Sequence, residues 1–226
     1  MEKFILRRVS RSFQSFSLII SAFLIFSFSI LTACSPGELE TPEGLDSYTP
    51  VSGSFNQADN EALDGSGVVR FESGLTSQQQ DISLKAELDG LNAGSYVGVV
   101  FNSSSNIVPD DNGLFVKFLR QGANVIMTIS VNGVSRSVTS PRATYLLPNS
   151  LNLVIQFFNY PSARILIWQG DSTVYGIETA IVDTARTGDI SSPLPSGIGA
   201  GVLAGLHLNY AKVSTARIGN GKIVIP

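Results

Sequence analysis

Glu87 and Asp89 stand two residues apart, the spacing that sets two carboxylates on one face of a strand, where glycoside hydrolysis needs one as nucleophile and one as acid. The stretch reads Glu87-Leu88-Asp89-Gly90-Leu91-Asn92, so the further glutamate that this geometry needs is missing, and Asp89-Gly90 is itself a turn pair. His207 is the only histidine, and any nucleophile, base and acid triad would have to use it. It lies between Leu206 and Leu208 with no Gly-x-Ser-x-Gly elbow in the chain, which suits a histidine on the polar side of a strand. Without cysteine or histidine partners it makes a poor zinc ligand, and no metal site is assigned. Gly199-Ala200-Gly201-Val202-Leu203-Ala204 has the form of a dinucleotide cradle but no preceding strand or following helix, so its glycines suit a bend in a sheet. Asp110-Asp111-Asn112-Gly113 and Asp64-Gly65-Ser66-Gly67 could each supply oxygens to calcium, although such acid and glycine clusters are commonly turns. No catalytic residue is assigned, no cofactor is required, and the expectation is a protein that is not an enzyme.

A binding constellation is more promising. If Leu151, Leu153, Ile155 and Phe157 face a core, then Asn152, Val154, Gln156 and Phe158 face the other way. A neighbouring strand can align Arg164, Leu166 and Trp168 with them. Aromatic planes beside amide and guanidinium donors suit a sugar, whose C–H face lies on a ring while its hydroxyls take the polar groups. Asn152, Gln156, Phe158, Arg164 and Trp168 are therefore the candidate ligand-binding residues. The competing reading is that loops or the other sheet cover these aromatics, as large rings are commonly buried.

The elements that would position such a face are strands. Ile82, Leu84, Ala86 and Leu88 alternate with polar residues, and Val125, Met127, Ile129 and Val131 do so again. Leu114, Val116 and Phe118 alternate with Phe115, Lys117 and Leu119, while Tyr96 to Phe101 is almost continuously apolar. Asn132-Gly133 joins two such runs as a tight hairpin turn, since both positions accept positive φ. Leu151 to Phe158, Ala163 to Trp168, Val202 to Leu208 and Lys212 to Ile218 complete the series, and Ile177 to Arg186 can be either a helix or a short strand. Many short strands, frequent Gly and Ser and scarcely any helix predict an all-β antiparallel sandwich of the jelly-roll kind over residues 51–226.

Ahead of it stands a different kind of segment. Lys3, Arg7, Arg8 and Arg11 precede the apolar run Leu18 to Cys34, which ends at the only cysteine. A basic start followed by an apolar stretch of about 16 residues reads as an export signal, a little short for a permanent span. Leu31-Thr32-Ala33-Cys34 resembles the lipobox of bacterial lipoproteins. That resemblance implies cleavage of residues 1–33, a diacylglycerol thioether and an N-acyl chain such as palmitate on Cys34, and attachment to the cell envelope. In the lipoproteins that this segment resembles, a residue such as Ser35 after the cysteine, rather than an aspartate, favours sorting to an outer membrane where the host has one. Residues 34–50, rich in Pro, Gly and acids, then read as a lipidated, flexible tether. Residues 1–33 hold four of the 15 basic and one of the 18 acidic residues, so the remainder carries 11 against 17. That balance excludes attraction to nucleic acid by charge alone.

The strands around Tyr96 to Val131, the Val131-Asn-Gly-Val hairpin, the pair Leu151 to Phe158 and Arg164 to Gly170, and the glycine-spaced close Gly199 to Ile218 resemble the concanavalin A-like and laminin-G-like sandwiches. The expectation is a membrane-anchored lipoprotein with a non-catalytic binding or adhesion domain whose partner is a glycan or an envelope protein. A structural assembly lipoprotein and a divergent glycosidase remain the alternatives.

Overall fold

A computed structural model describes residues 44–58, 62–72, 79–88, 94–102, 113–146, 150–158, 163–170, 176–195 and 203–219. The expected signal segment, residues 1–33, the expected lipidation site Cys34 and residues 35–43 lie outside the described residues. Among the described residues twelve strands run in chain order as β1 (Gly44–Leu45), β2 (Tyr48–Ala58), β3 (Ala62–Phe71), β4 (Gln79–Leu88), β5 (Tyr96–Asn102), β6 (Gly113–Gln121), β7 (Asn124–Val131), β8 (Val134–Ser137), β9 (Leu151–Phe158), β10 (Arg164–Gln169), β11 (Val182–Asp183) and β12 (Leu203–Gly219). All pairings are antiparallel except that of β1 with β12, and the fold is an antiparallel β-sandwich.

The two layers share one strand. The first half of β12 lies between β3 and β5, continuing through β6, β7 and β8, with β2 at the opposite edge beside β3. Its second half pairs with β4, and that layer continues through β9, β10 and β11. Crossing between layers would turn the apolar residues of β12 outward if the register were unbroken. Two irregularities prevent this: one extra residue lies between Leu208 and Ala211 and another between Val213 and Thr215. Each reverses the alternation, so Leu206 and Leu208, then Ala211 and Val213, then Ala216 and Ile218 are all buried. At the first irregularity Tyr210 takes φ 49°, its N–H donating to Ser66 Oγ at 2.9 Å, and its side chain is exposed.

The core fills the space between layers. Val97, Val99, Phe101, Leu114, Val116 and Phe118 of the first layer meet Ile82, Leu84, Leu153, Ile155, Phe157 and Ile167 of the second within one cluster. Phe101 and Phe157 stack across it with ring centroids 6.1 Å apart. Fully burying a side chain of this size contributes roughly 1.5–3 kcal/mol. The alternation in β4, β6, β7 and β9 is the one expected from sequence, and Asn132 and Gly133 make their turn at φ 48° and 76°.

Four expectations change. The tether does not extend to residue 50, because Leu45 is buried against the core and Asp46 accepts hydrogen bonds from Arg217 Nη1 and the Ile218 N–H, both at 2.7 Å. Asp64 to Gly67 is not a calcium loop but part of β3, where Gly53 faces Gly67 so closely that a Cβ on Gly53 would lie 2.2 Å from the Ser66 carbonyl oxygen. Ile177 to Arg186 forms neither a long helix nor a strand throughout; a 3-10 turn at Ile177–Thr179 leads into β11. The two closing runs are one 17-residue strand.

Candidate functional site

The register places the expected binding residues together. Arg164 lies opposite Phe158, Leu166 opposite Gln156 and Trp168 opposite Val154, with Asn152 on the same outer face of the second layer. That face is covered at its centre, which corrects the expectation of exposure for Gln156 and Trp168, while Asn152, Phe158 and Arg164 keep part of their surface in water. Trp168 and Gln156 are fully buried, whereas Asn152 and Phe158 are only half-buried. Trp168 packs with Val154, Leu166 and Ala180, and its Nε1–H donates to the Gly176 carbonyl at 3.0 Å. Arg164 is held by both oxygens of Asp183, at 2.9 and 2.7 Å. The covering segment, residues 176–186, is locked from within: Arg186 donates to the Ile177 and Ala180 carbonyls and to Asp189. A large indole without a cover would leave its apolar area in water, so the chain folds over it.

The outer face of the first layer carries a second polar and aromatic set. One row across it runs Val68, His207, Gly98, Lys117, Thr128 and Ser137, and the next runs Arg70, Gly205, Val100, Phe115, Ser130 and Ser135. Gly98 is the hinge of this arrangement. A Cβ there would lie 2.1 Å from Phe115 Cε2, so only glycine lets the phenyl ring lie against the β5 backbone. Val68, Val100 and Phe115 form a small apolar cluster with Leu203 at its margin.

Around this floor stand groups that can bind. The Tyr96 hydroxyl is 3.2 Å from His207 Nε2, and the two rings meet edge to face with centroids 5.3 Å apart. The His207 ring is tilted 37° to Phe115 at 6.3 Å. Lys117 Nζ lies 4.3 Å from the Tyr96 ring centroid, within reach of a cation–π contact. Tyr96, His207, Lys117 and Thr128 are half-buried, so each keeps part of its surface in water. At the margin Arg70 Nη2 donates to Glu72 at 3.2 Å. The Thr49 hydroxyl, first, and Arg70 hold the Glu72 carboxyl below its ordinary range.

His207 therefore sits on the polar side of its strand, half-buried beside Tyr96. Glu87 is exposed on β4, while Asp89 and residues 103–112, which include Asp110 to Asn112, lie outside the described residues. Among the described residues no three of His, Cys, Asp and Glu gather as a metal site would require. Sequence reasoning missed Tyr96, Phe115, Lys117 and Arg70. The phase of Phe115, Lys117 and Leu119 against their buried neighbours was visible, but nothing local told which of the two outer faces the chain would cover.

No family model matches the chain, and a search of curated proteins finds no match. Solved structures do match. The carbohydrate-binding module CBM66 from Bacillus subtilis is 13% identical with a TM-score of 0.51, over 79% of this chain and 100% of that one. A legume lectin-like domain from Entamoeba histolytica is 10% identical with a TM-score of 0.44, over 76% of this chain and 89% of that one. The likeness to the first is one of fold, a β-sandwich of the lectin and carbohydrate-binding-module type.

Proposed function

We propose that this is a lipid-anchored lipoprotein of a bacterial envelope whose sandwich is a non-catalytic glycan-binding module. The observation that carries the reading is the group Tyr96, Phe115, Lys117 and His207 on the outer face of the first layer, where rings and donors stand side by side. A sugar laid over the aromatic edge would set its hydroxyls against the imidazole, the phenol and the ammonium. The fold shared with a carbohydrate-binding module supports this reading.

Tyr96→Ala is expected to weaken retention on a glycan array about tenfold, the effect of losing an interaction of roughly 1.4 kcal/mol. Thermal unfolding of the variant serves as the control for folding. Retention equal to that of the parent protein, in a variant that folds, would reject this face.

Anchoring is tested separately. Cys34→Ser removes the thiol that the thioether needs, and the variant is expected to lose the incorporation of a labelled fatty acid that the parent protein shows. A parent protein that takes up no labelled fatty acid, or a variant that takes up as much as the parent, counts against lipid attachment at Cys34.

A further inference from the structure

Two rows at the centre of the outer face of the first layer have a charge opposite to that of the chain. The protein as a whole carries 18 acidic against 15 basic residues. The two rows that run from Val68 to Ser137 and from Arg70 to Ser135 contain Arg70, Lys117 and His207 and not one carboxylate. Arg70 is partly neutralised by Glu72 at the margin, so Lys117 is the principal cation of the face. The ion pairs among the described residues are Arg70 with Glu72, Arg164 with Asp183, Arg186 with Asp189 and Arg217 with Asp46, and Lys117 enters none of them.

Its position is set by something other than a counter-ion. The Nζ rests 4.3 Å from the Tyr96 centroid, an interaction that fixes the ammonium in place yet uses none of its donors on an oxygen acceptor. Lys117 and His207 are both in register with Gly98, one strand to either side, so their Cα atoms are about 10 Å apart. The residue between them has no side chain, and the Phe115 ring floors the gap. An apolar floor flanked by an imidazole and by an ammonium with no acid partner among the described residues is suited to a sugar ring that carries an anionic substituent.

We propose that the ligand of this face is an acidic saccharide, whose carboxylate or sulfate group is taken by Lys117 with His207 on the opposite side of the same ring; this rests on the glycan reading above. Carboxylate and sulfate present the same chemistry to an ammonium, namely anionic oxygens that accept charge-assisted hydrogen bonds.

The test uses the full chain in detergent, passed over immobilised polygalacturonate, its methyl-esterified form, dextran sulfate and dextran. Retention on at least one acidic polymer is expected to exceed that on its neutral counterpart about tenfold at about 0.15 M salt and to fall as salt rises. Which acidic polymer is retained identifies the group. Lys117→Met is expected to remove the preference, and Lys117→Arg, which keeps the charge, to retain most of it. Equal retention on charged and neutral polymers, unchanged by Lys117→Met, overturns the charge assignment and leaves the glycan reading standing. A preference for acidic polymers that Lys117→Met does not alter is ion exchange elsewhere on the protein and also overturns it. No retention on these polymers or on any array glycan overturns both.

Discussion

Trp168→Ala is expected to lower the stability of the sandwich by about 3–5 kcal/mol while leaving glycan retention per folded molecule unchanged. The magnitude follows from the position of the indole. It is fully buried against Val154, Leu166 and Ala180, and removing it opens a cavity that the strands on one side and the covering segment on the other can close only in part. The Gly176 carbonyl also loses the Nε1–H at 3.0 Å, adding about 1 kcal/mol. Trp168→Phe, which keeps most of the apolar volume and loses that hydrogen bond, should cost less. Chemical denaturation followed by circular dichroism measures both. A loss below about 1 kcal/mol in Trp168→Ala would mean that the indole is not enclosed as described. A selective loss of glycan binding in stable protein would return the ligand to the second layer.

The second large effect is that of Asp183. Its carboxylate holds Arg164 by two hydrogen bonds and accepts the Ala185 N–H at 3.0 Å, while its own N–H donates to Asp189 Oδ2 at 2.9 Å. Asp183→Ala leaves the half-buried Arg164 guanidinium without its partner, and breaking a largely enclosed pair of this kind costs about 3 kcal/mol. The same group makes stability depend on pH. Burial pushes the Asp183 carboxyl up, but the Arg164 hydrogen bonds, the Ala185 N–H and the charges of Arg164 and Arg186 together outweigh it and hold the carboxyl below its ordinary value of 3.8. The unfolded chain therefore binds this proton more readily than the native one. The contribution is complete above the unfolded value and is lost as pH falls through the lower native value. The stability difference between the parent protein and Asp183→Ala should be constant near neutral pH and shrink only in acid below about pH 4. A difference that stays constant through acid, or one that shrinks at neutral pH, would contradict this account.

Much of the layer structure was legible because the core strands obey strict alternation. Ile82 to Leu88, Val125 to Val131 and Leu151 to Phe157 each place one apolar residue in two toward the core, and the period-two pattern needs no knowledge of the partner strand. Residues 48–71 escaped for the opposite reason. Gly53, Gly65 and Gly67 provide no alternating side chains, and their use is to let β2 and β3 approach closely, a property of the pair that neither strand shows alone. The expected binding face shows a related limit. Its composition and alignment were readable from Leu151 to Trp168, but the segment that closes it begins at Gly176 and is held by Asp183, Arg186 and Asp189, whose spacing follows no regular element. The cluster at Tyr96, Lys117 and His207 comes from three strands that are far apart in sequence, so only their register brings them together.

The strand that joins the two layers also sets the order in which the protein can be made. β12 is the last of the described strands, and both layers are open along its two sides until residues 203–219 are in place. A chain emerging from its N terminus can form local hairpins such as β6 with β7, but the inner flanks of β3, β4 and β5 have no partner until residues 203–219 have been made. Closure is thus a long-range, late event, slow in the manner of folds dominated by distant pairings. A nascent chain stopped before Leu203 should therefore be as sensitive to protease as an unfolded one.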